Sequence, residues 1–531
     1  MALIPIIQAG SLGISKDTPF HELPLPAWSD GENVRFIDGA VESMLGHVDL
    51  LVPPGIEPRH LRTVIPTDGS VPLLVFLSNT KARVYDGVVE TDLTRLVGGD
   101  YTASDTVLWY STTLSGVPVF TNFNDVPQYW APQNPATTQL QDLPAWPATL
   151  RAKVIRSYKN FLVALHVTKS GTQYRHLVKW SDAADPGALP ASWDEASATN
   201  LAGEHDLSDT PGVLLDCLPM GDVNLVYKED AVWSMAFVRG EFIFQFRKLF
   251  ERATFGLLST NCVVDVGRRH VLLTNENLIV HDGTQFEELL NRTWQREFFS
   301  RLDVDKKHRA FLFANRTKRE VWVCYPSVSG SGWVDEALVW NWKDGTIGFR
   351  ALPDVSGIDL SIFSPTTDTF DGGSSGTFDT DDTVFDNISF VNQRPVIASP
   401  VGTFAIYQGE VGNLYAGSAK TSRVERRGIA VESIDGAGKA VVNVDTIKFL
   451  RAVYPKLDAT DYSKVKFYVG SQMFVGGPVT WSGPFTVDLT TGFKFDTSIS
   501  GRILALAVES TEDVFWRLWG MNLDLNVVGR F

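Results

Sequence analysis

Apolar residues along this chain fall mostly in short runs of three to six, separated by polar turns, and only rarely at helical spacing. Strict alternation is visible in Glu241-Phe242-Ile243-Phe244-Gln245-Phe246, which places three Phe side chains on one face of a strand. Asp-Gly pairs at 68–69, 86–87, 282–283, 344–345 and 435–436 punctuate the runs. Asp-Gly tolerates the positive φ of tight turns, so each pair predicts a strand-to-strand connection. One segment has the other period: Phe286, Leu289, Leu290, Trp294, Phe298 and Leu302 recur every three to four residues and predict a helix packed on the sheets.

The runs pair into a loose repeat, an apolar strand followed by a second strand ending in a large side chain. The units are Leu73–Phe76 with Val84–Tyr85, Val117–Phe120 with Gln128–Trp130, Phe161–Ala164 with Leu177–Trp180, and Asn224–Tyr227 with Ala231–Trp233. Val271–Leu273 with Leu278–Val280, Val321–Val323 with Leu338–Trp340, and Phe404–Ile406 with Asn413–Tyr415 complete seven. Their end positions, 85, 130, 180, 233, 280, 340 and 415, lie 45, 50, 53, 47, 60 and 75 residues apart. A return of about 40–50 residues is the length of one four-stranded propeller blade. The expected fold is therefore all-β: a β-propeller of six or seven blades over 51–418, flanked by an N-terminal segment, 1–50, that closes or flanks it. Stacked sandwiches, the rival all-β arrangement, would give no such regular return.

The last interval is stretched by an insertion, 364–392, rich in Asp, Gly, Ser and Thr and carrying Phe370-Asp371, Phe378-Asp379 and Phe385-Asp386. Carboxylates at short spacing suit calcium, but the EF-hand ligand order is missing, and an exposed loop pinned by its Phe side chains is the plainer reading. From 419 to 531 strands continue without the repeat, predicting a separate C-terminal β-sandwich or barrel-like domain. It ends in Trp516–Val528, expected to be a strand pair broken by Gly520.

Composition is that of a globular protein: 531 residues, 44% hydrophobic and 21% charged, with 15 Trp and 32 Phe. The net charge of −15 and the shortness of the basic clusters, Arg423–Arg427 and Lys306–Arg309, argue against a protein that grips nucleic acid through its phosphates. An acidic wall past which DNA slides is compatible with them. Cys217, Cys262 and Cys324 form neither a disulfide framework nor a zinc motif and read as buried free thiols of a reducing compartment. The first ten residues lack a basic region and a long apolar stretch, so no signal peptide is expected, and no run is long enough to span a membrane.

Chemistry is hard to find. Gly-x-Gly-x-x-Gly, Walker, His-Glu-x-x-His and Gly-x-Ser-x-Gly motifs are absent. Propellers host glycoside hydrolases, which need paired carboxylates. Asp182, Asp185, Asp194 and Glu195 are candidates, but they sit among Pro186, Gly187 and Pro190, where acidic residues are ordinary turn formers. Ser192-Trp193-Asp194 only brushes the sialidase Asp-box. His281, in a Val-His-Asp-Gly turn, reads as a hairpin residue rather than a base. No catalytic, cofactor-binding or metal-binding residue and no cofactor is expected.

The opening stretch is the most specific signal: Pro24, Trp28-Ser29-Asp30-Gly31, Asn33-Val34-Arg35-Phe36, Asp38-Gly39, Glu42 and Gly46-His47. It resembles the N-terminus of tail hub or nozzle proteins of short-tailed bacteriophages. Phe120–Trp130, Val178–Asp182, Val226–Met235, Gly501-Arg502 and Gly529–Phe531 resemble the same family, in order along nearly the whole chain. The resemblance implies a structural virion protein and no enzyme: a propeller subunit of a homohexameric ring, assembled in the host cytoplasm, that extends the DNA exit channel. The ring would retain packaged DNA and let it pass, bound to adaptor or portal-side proteins and to fibres or spikes. Trp28, Arg35 and Phe36 are expected to anchor the strand closing the last blade, or else an arm laid on the next subunit. Two other readings are a tail-associated carbohydrate-binding or depolymerising propeller, motivated by Trp130 and Trp193, and a cellular propeller scaffold.

Overall fold

The computed structural model describes residues 2–530 except 17, 67–71, 133–135, 239–241, 251–254, 363–392, 435–439 and 488–492. The acidic insertion and the Asp68-Gly69 and Asp435-Gly436 turns therefore lie outside the described residues.

The chain is almost entirely β. Among the described residues seven four-stranded antiparallel sheets follow one another in sequence, each pairing its strands in chain order apart from the last strand of the seventh. Their first strands are His60–Val64, Tyr110–Leu114, Leu150–Tyr158, Leu214–Met220, Val263–Asp265, Phe311–Asn315 and Gly357–Ser361. The second strands are the most deeply buried. Leu73–Leu77, His270–Leu273 and Glu320–Pro326 are buried at every position. A strand covered on both faces reads as a continuous apolar run rather than an alternation, which explains the runs in the sequence. Fourth strands such as Gln141–Asp142 and Phe286–Glu288 are exposed throughout.

Apolar wedges fill the space between consecutive sheets. Val75 and Phe120 share one wedge, Val119 and Leu162 the next, and Val163 and Val226 the one after. Trp322 packs with Ile397 between the sixth and seventh sheets, and Ile406 with Phe76 between the seventh and the first. The Asp-Gly turns at 86–87, 282–283 and 344–345 all join third to fourth strands, with φ of 100°, 90° and 70° at the glycines.

In six of the seven repeat units the paired runs are the second and third strands of one sheet. The seventh differs. Ala405–Gly409 pairs with Arg394–Ser399 on one side and with His47–Leu51 on the other, while Asn413–Tyr415 forms no strand. The strand completing the last sheet is thus His47–Leu51. Arg35 and Phe36 lie elsewhere, because the hairpin Val34–Ile37/Ala40–Ser43 joins a six-stranded sheet with Trp516–Arg530, Thr446–Ala459 and Phe495–Gly501, and Trp28 bridges Ile14 outside the seventh sheet.

Ala2–Ile7 adds to that sheet along Trp516–Arg530. Gly520 does not break this last strand. A Cβ there would meet the Ile6 carbonyl oxygen at 2.3 Å, so glycine admits the N-terminal strand. A five-stranded sheet of Asp30–Glu32, Ser422–Ile429, Ile503–Ser510, Lys466–Gln472 and Thr480–Phe485 accompanies it, and both share an apolar core continuous with the fifth and sixth sheets. The helix is shorter than its periodicity predicts. It spans Arg292–Arg301, capped by Asn291, with Trp294 and Phe298 buried, whereas Phe286 belongs to an exposed edge strand.

The closing strand depends on a close approach at Gly46, where a Cβ would lie 1.8 Å from the Leu414 carbonyl oxygen. Gly46→Ala should lower stability by about 3 kcal/mol or more, whereas Gly357→Ala, with open space around its Cβ, should be nearly neutral. Thermal unfolding of the two variants checks this.

Candidate functional site

Three polar constellations stand out: an axial cavity, a buried ionic knot, and a Tyr–His chain.

The first strands of all seven sheets line one cavity of about 500 Å³. Its charges are paired across sheet boundaries. Arg156 holds Asp216 through two hydrogen bonds of 2.7 and 2.9 Å and also donates to Asn261 Oδ1 at 2.6 Å. Arg316 meets Asp265 at 2.9 Å, and Arg62 stands 3.9 Å from Asp359. His60 Nε2 hydrogen-bonds Ser111 Oγ at 2.9 Å and Thr112 donates to Ser157 at 3.1 Å, joining the first three sheets. Burial beside Arg62 and Arg156 pushes the His60 imidazole down to about 3, so it is neutral. The cavity has matched charges and no unsupported acid or base.

The ionic knot gathers residues distant in sequence. Arg35 donates from Nη1 and Nη2 to the two Glu410 oxygens, both at 2.9 Å, and its Nε lies 2.9 Å from Glu320 Oε1. Arg350 binds Glu410 as well and donates to the Leu45 carbonyl at 3.0 Å. Its guanidinium lies 4.3 Å over the Trp322 ring, whose Nε1 donates to Glu320 at 3.0 Å. Arg35 is 2% and Glu320 1% exposed, so water does not solvate these charges. Burial alone would push the Glu410 carboxyl up, but Arg35 and Arg350 bring it down to about 2. Arg35 comes from the N-terminal hairpin, Glu320 from the sixth sheet, and Glu410 from the end of the seventh.

In the fourth and fifth sheets, Tyr227 Oη lies 2.6 Å from His270 Nδ1 and 3.0 Å from His281 Nε2. His281 Nδ1 accepts the Gly283 N–H at 3.2 Å, so a neutral His281 carries its proton on Nε2 and donates to Tyr227. Tyr227 then donates to His270, whose Nε2–H donates to the Pro219 carbonyl at 3.1 Å. Every polar side-chain atom of this relay is satisfied, and burial holds His281 down at about 3.

The residues singled out in the sequence are absorbed structurally. Glu195 binds Lys179 and, at 3.2 Å, Lys169. Against the opposing effect of burial these lysines lower its carboxyl to about 2, the wrong direction for a general acid. Asp182 accepts the Leu201 N–H at 3.0 Å and Asp194 that of Ala196 at 3.0 Å, so both shape their own loop. Asp185 takes part in no shared site with them: its carbonyl accepts the Ala188 N–H at 3.0 Å within the same turn. Trp130 and Trp193 are buried, Trp193 edge-on to Trp146 at 4.6 Å, so neither offers a face to a sugar. This corrects the expectation that they mark a carbohydrate surface.

The three cysteines are buried and free, with burial pushing Cys217 and Cys262 up to about 12. Arg426 is buried and donates to the Phe20 and Leu23 carbonyls at 2.9 and 2.8 Å, while Arg423 and Arg427 pair with Glu425. Arg309 lies 3.8 Å over Trp333 and 3.3 Å from Asp105. Among the described residues no group of three or more His, Cys, Asp or Glu side chains is placed to hold a metal ion, and no helix is long and apolar enough to cross a membrane.

The knot is not visible in the sequence. Arg35 within Val34–Phe36 and Glu320 opening Glu320-Val-Trp-Val-Cys324 are charges embedded in apolar runs, which is the available signal. Their separation of 285 residues hides the pairing.

No family model and no curated protein matches the chain. Similar solved structures include the AfRom2 CNH domain, at 8% identity over 68% of this chain and 98% of that one, with a TM-score of 0.36. BBS1N in complex with ARL6DN is similar at 9% identity over 69% and 97%, with a TM-score of 0.38. An S. cerevisiae assembly of dbp5 with nup159 and gle1 is similar at 11% identity over 69% and 94%, with a TM-score of 0.36. Likenesses this slight decide nothing about function.

Removing one member of the knot leaves buried charge uncompensated. Glu410→Gln should cost about 3–5 kcal/mol in denaturant unfolding, against less than about 1 for Lys81→Gln in the exposed Lys81–Asp100 pair. A second expectation concerns acid. The folded His281 titrates near 3 and the unfolded one near 6.5, so below 6.5 the unfolded chain takes up the proton first and stability falls with pH. Between pH 6.5 and about 4 each such histidine should contribute up to ~1.4 kcal/mol per pH unit. His281→Gln should flatten the pH dependence of the melting temperature by one proton's share.

Proposed function

We propose that this chain is a structural subunit of a bacteriophage tail, built on a seven-bladed β-propeller with a C-terminal β-sandwich, that assembles into a ring extending the DNA exit channel. The observation carrying this reading is where the residues of the phage-tail resemblance lie. Ser29 donates to the Glu425 carbonyl at 2.8 Å, Asn33 to the Thr421 carbonyl at 2.7 Å, Arg35 enters the knot, and Gly46-His47 begins the closing strand. Together they tie the N-terminal segment to distant parts of the chain, which makes a stiff block of the kind a ring requires. Closing the seventh sheet with a strand from the same chain also covers the edge of the buried Ala405–Gly409 strand, which would otherwise be open to other chains.

The axial cavity of one subunit, about 500 Å³ and crossed by ion pairs, has no room for a duplex. The DNA passage in this reading is framed by several copies. A net charge of −15, with Arg423 and Arg427 paired to Glu425 and Arg309 to Asp105, suits a wall that DNA passes without sticking. Adaptor or portal-side proteins and tail fibres or spikes would be its neighbours in the virion. The reading as a non-enzymatic protein draws support from the consumption of Asp182, Asp194 and Glu195 by local contacts.

Light scattering and negative-stain microscopy of the purified protein test the proposal. The expected result is a ring of about six copies with a central opening. A monomer at every concentration, alone and with tail components, would overturn it.

A further inference from the structure

One group of basic side chains in the third sheet has no carboxylate at ion-pair distance among the described residues. The second strand, Phe161–Lys169, loses register between Leu165, which faces Val178, and Val167, which faces Tyr174. His166 occupies the break with a φ of +51°, opposite the stretch Arg175-His176-Leu177. On its other side Ala152 faces Val167 and Val154 faces Leu165, which sets Lys153 across from His166. The field of Lys153, Arg175 and His176 acts on the His166 ring, and Phe123 contacts it edge-on at 5.2 Å.

His166 is 8% exposed, and neither of its ring nitrogens makes a hydrogen bond of ordinary geometry, although the Gln173 side chain approaches. His176 Nδ1 is likewise buried without a partner. Lys153 is half-buried, and its ammonium is pushed down by burial. Among the described residues neither Lys153 nor Arg175 has a carboxylate at ion-pair distance. Glu229 acts on Lys153 from farther away, and its carboxylate accepts the Val213 N–H at 3.2 Å.

Elsewhere in this protein buried cations meet carboxylates, as Arg35, Arg156 and Arg350 do, or backbone carbonyls, as Arg426, Lys228 and Lys448 do. Gathering like charges around a buried, unpartnered imidazole is unfavourable unless an anion neutralises them. We propose that Lys153, His166, Arg175 and His176 form a binding site for a phosphate-class oxyanion. An ammonium, a guanidinium and two imidazoles supply charge-assisted donors to several oxygens of one tetrahedral anion. The phosphate would be inorganic or belong to a nucleic-acid backbone. The site does not depend on the tail reading, and it stands whether or not the chain forms a ring.

Thermal unfolding of the full chain in sodium phosphate against sodium chloride at matched ionic strength is the test. Phosphate should raise the melting temperature saturably, as a ligand of the folded state does, with about 10 mM sufficing. Phosphate also stabilises proteins generally by exclusion from their surface, so variants provide the contrast. Lys153→Met, His166→Asn and the exposed Arg175→Ser should each weaken the apparent affinity by roughly tenfold. Lys153→Met, relieved of an unpaired cation, should melt no lower than the parent in chloride. Broadening of the phosphate signal in phosphorus NMR with the parent chain, lost with Arg175→Ser, gives the same answer without unfolding. Equal phosphate shifts in parent and variants, or no shift beyond chloride, would overturn the proposal. Competition by a short duplex or single strand assigns the site to backbone phosphate, and its failure while inorganic phosphate still binds assigns it to the free anion.

Discussion

The fold depends on charge placed where water cannot reach it. Arg35 enters the interior from the N-terminal hairpin and there meets two glutamates from different sheets, with Arg350 completing the neutralisation. A desolvated guanidinium is tolerable only when its partners are fixed, so the knot sets the positions of all three elements together. An apolar contact in the same place would tolerate sliding. Bidentate geometry between Arg35 and Glu410 does not, and it stands beside the site where His47–Leu51 completes the seventh sheet.

Local pairing is legible in the sequence and long-range pairing is not. Leu73–Phe76 with Val84–Tyr85 announces a hairpin because apolar runs flanking a short polar turn have few other ways to bury themselves. The partner of Ala405–Gly409 is a different matter. Arg394–Ser399 precedes it closely, but His47–Leu51 is an unremarkable stretch, and nothing local distinguishes it from the nearby hairpin that joins another sheet. Periodicity starts the helix too early because Phe286 and Leu289 fit a 3.6 period by accident, while Asn291, the residue that caps the first turn, marks the true start. Gly520 looks like a break in one dimension, yet it answers to the approach of Ile6, a contact that only the folded chain makes.

The polar constellations follow one logic with one departure. In the axial cavity and the knot buried charges find counter-ions, and along Tyr227, His270 and His281 each donor finds an acceptor. Composition does not reveal these pairings, because they join residues from different sheets. His166 with its cationic neighbours is the departure, and a register break rather than a sequence motif creates it.

The closing strand has a consequence for how the chain is made. Residue 47 leaves the ribosome long before residue 409, its partner, and Ala2–Ile7 waits longer still for Trp516–Arg530. During synthesis the early sheets can condense one after another, but the pairing of His47–Leu51 with Ala405–Gly409 forms only once the later strand has been made. Contacts of such high sequence separation are slow to form. Until then the unpaired His47–Leu51 and Ala405–Gly409 edges are open to strands of neighbouring nascent chains, and crowding on a polysome would favour exchange of the N-terminal strand between copies.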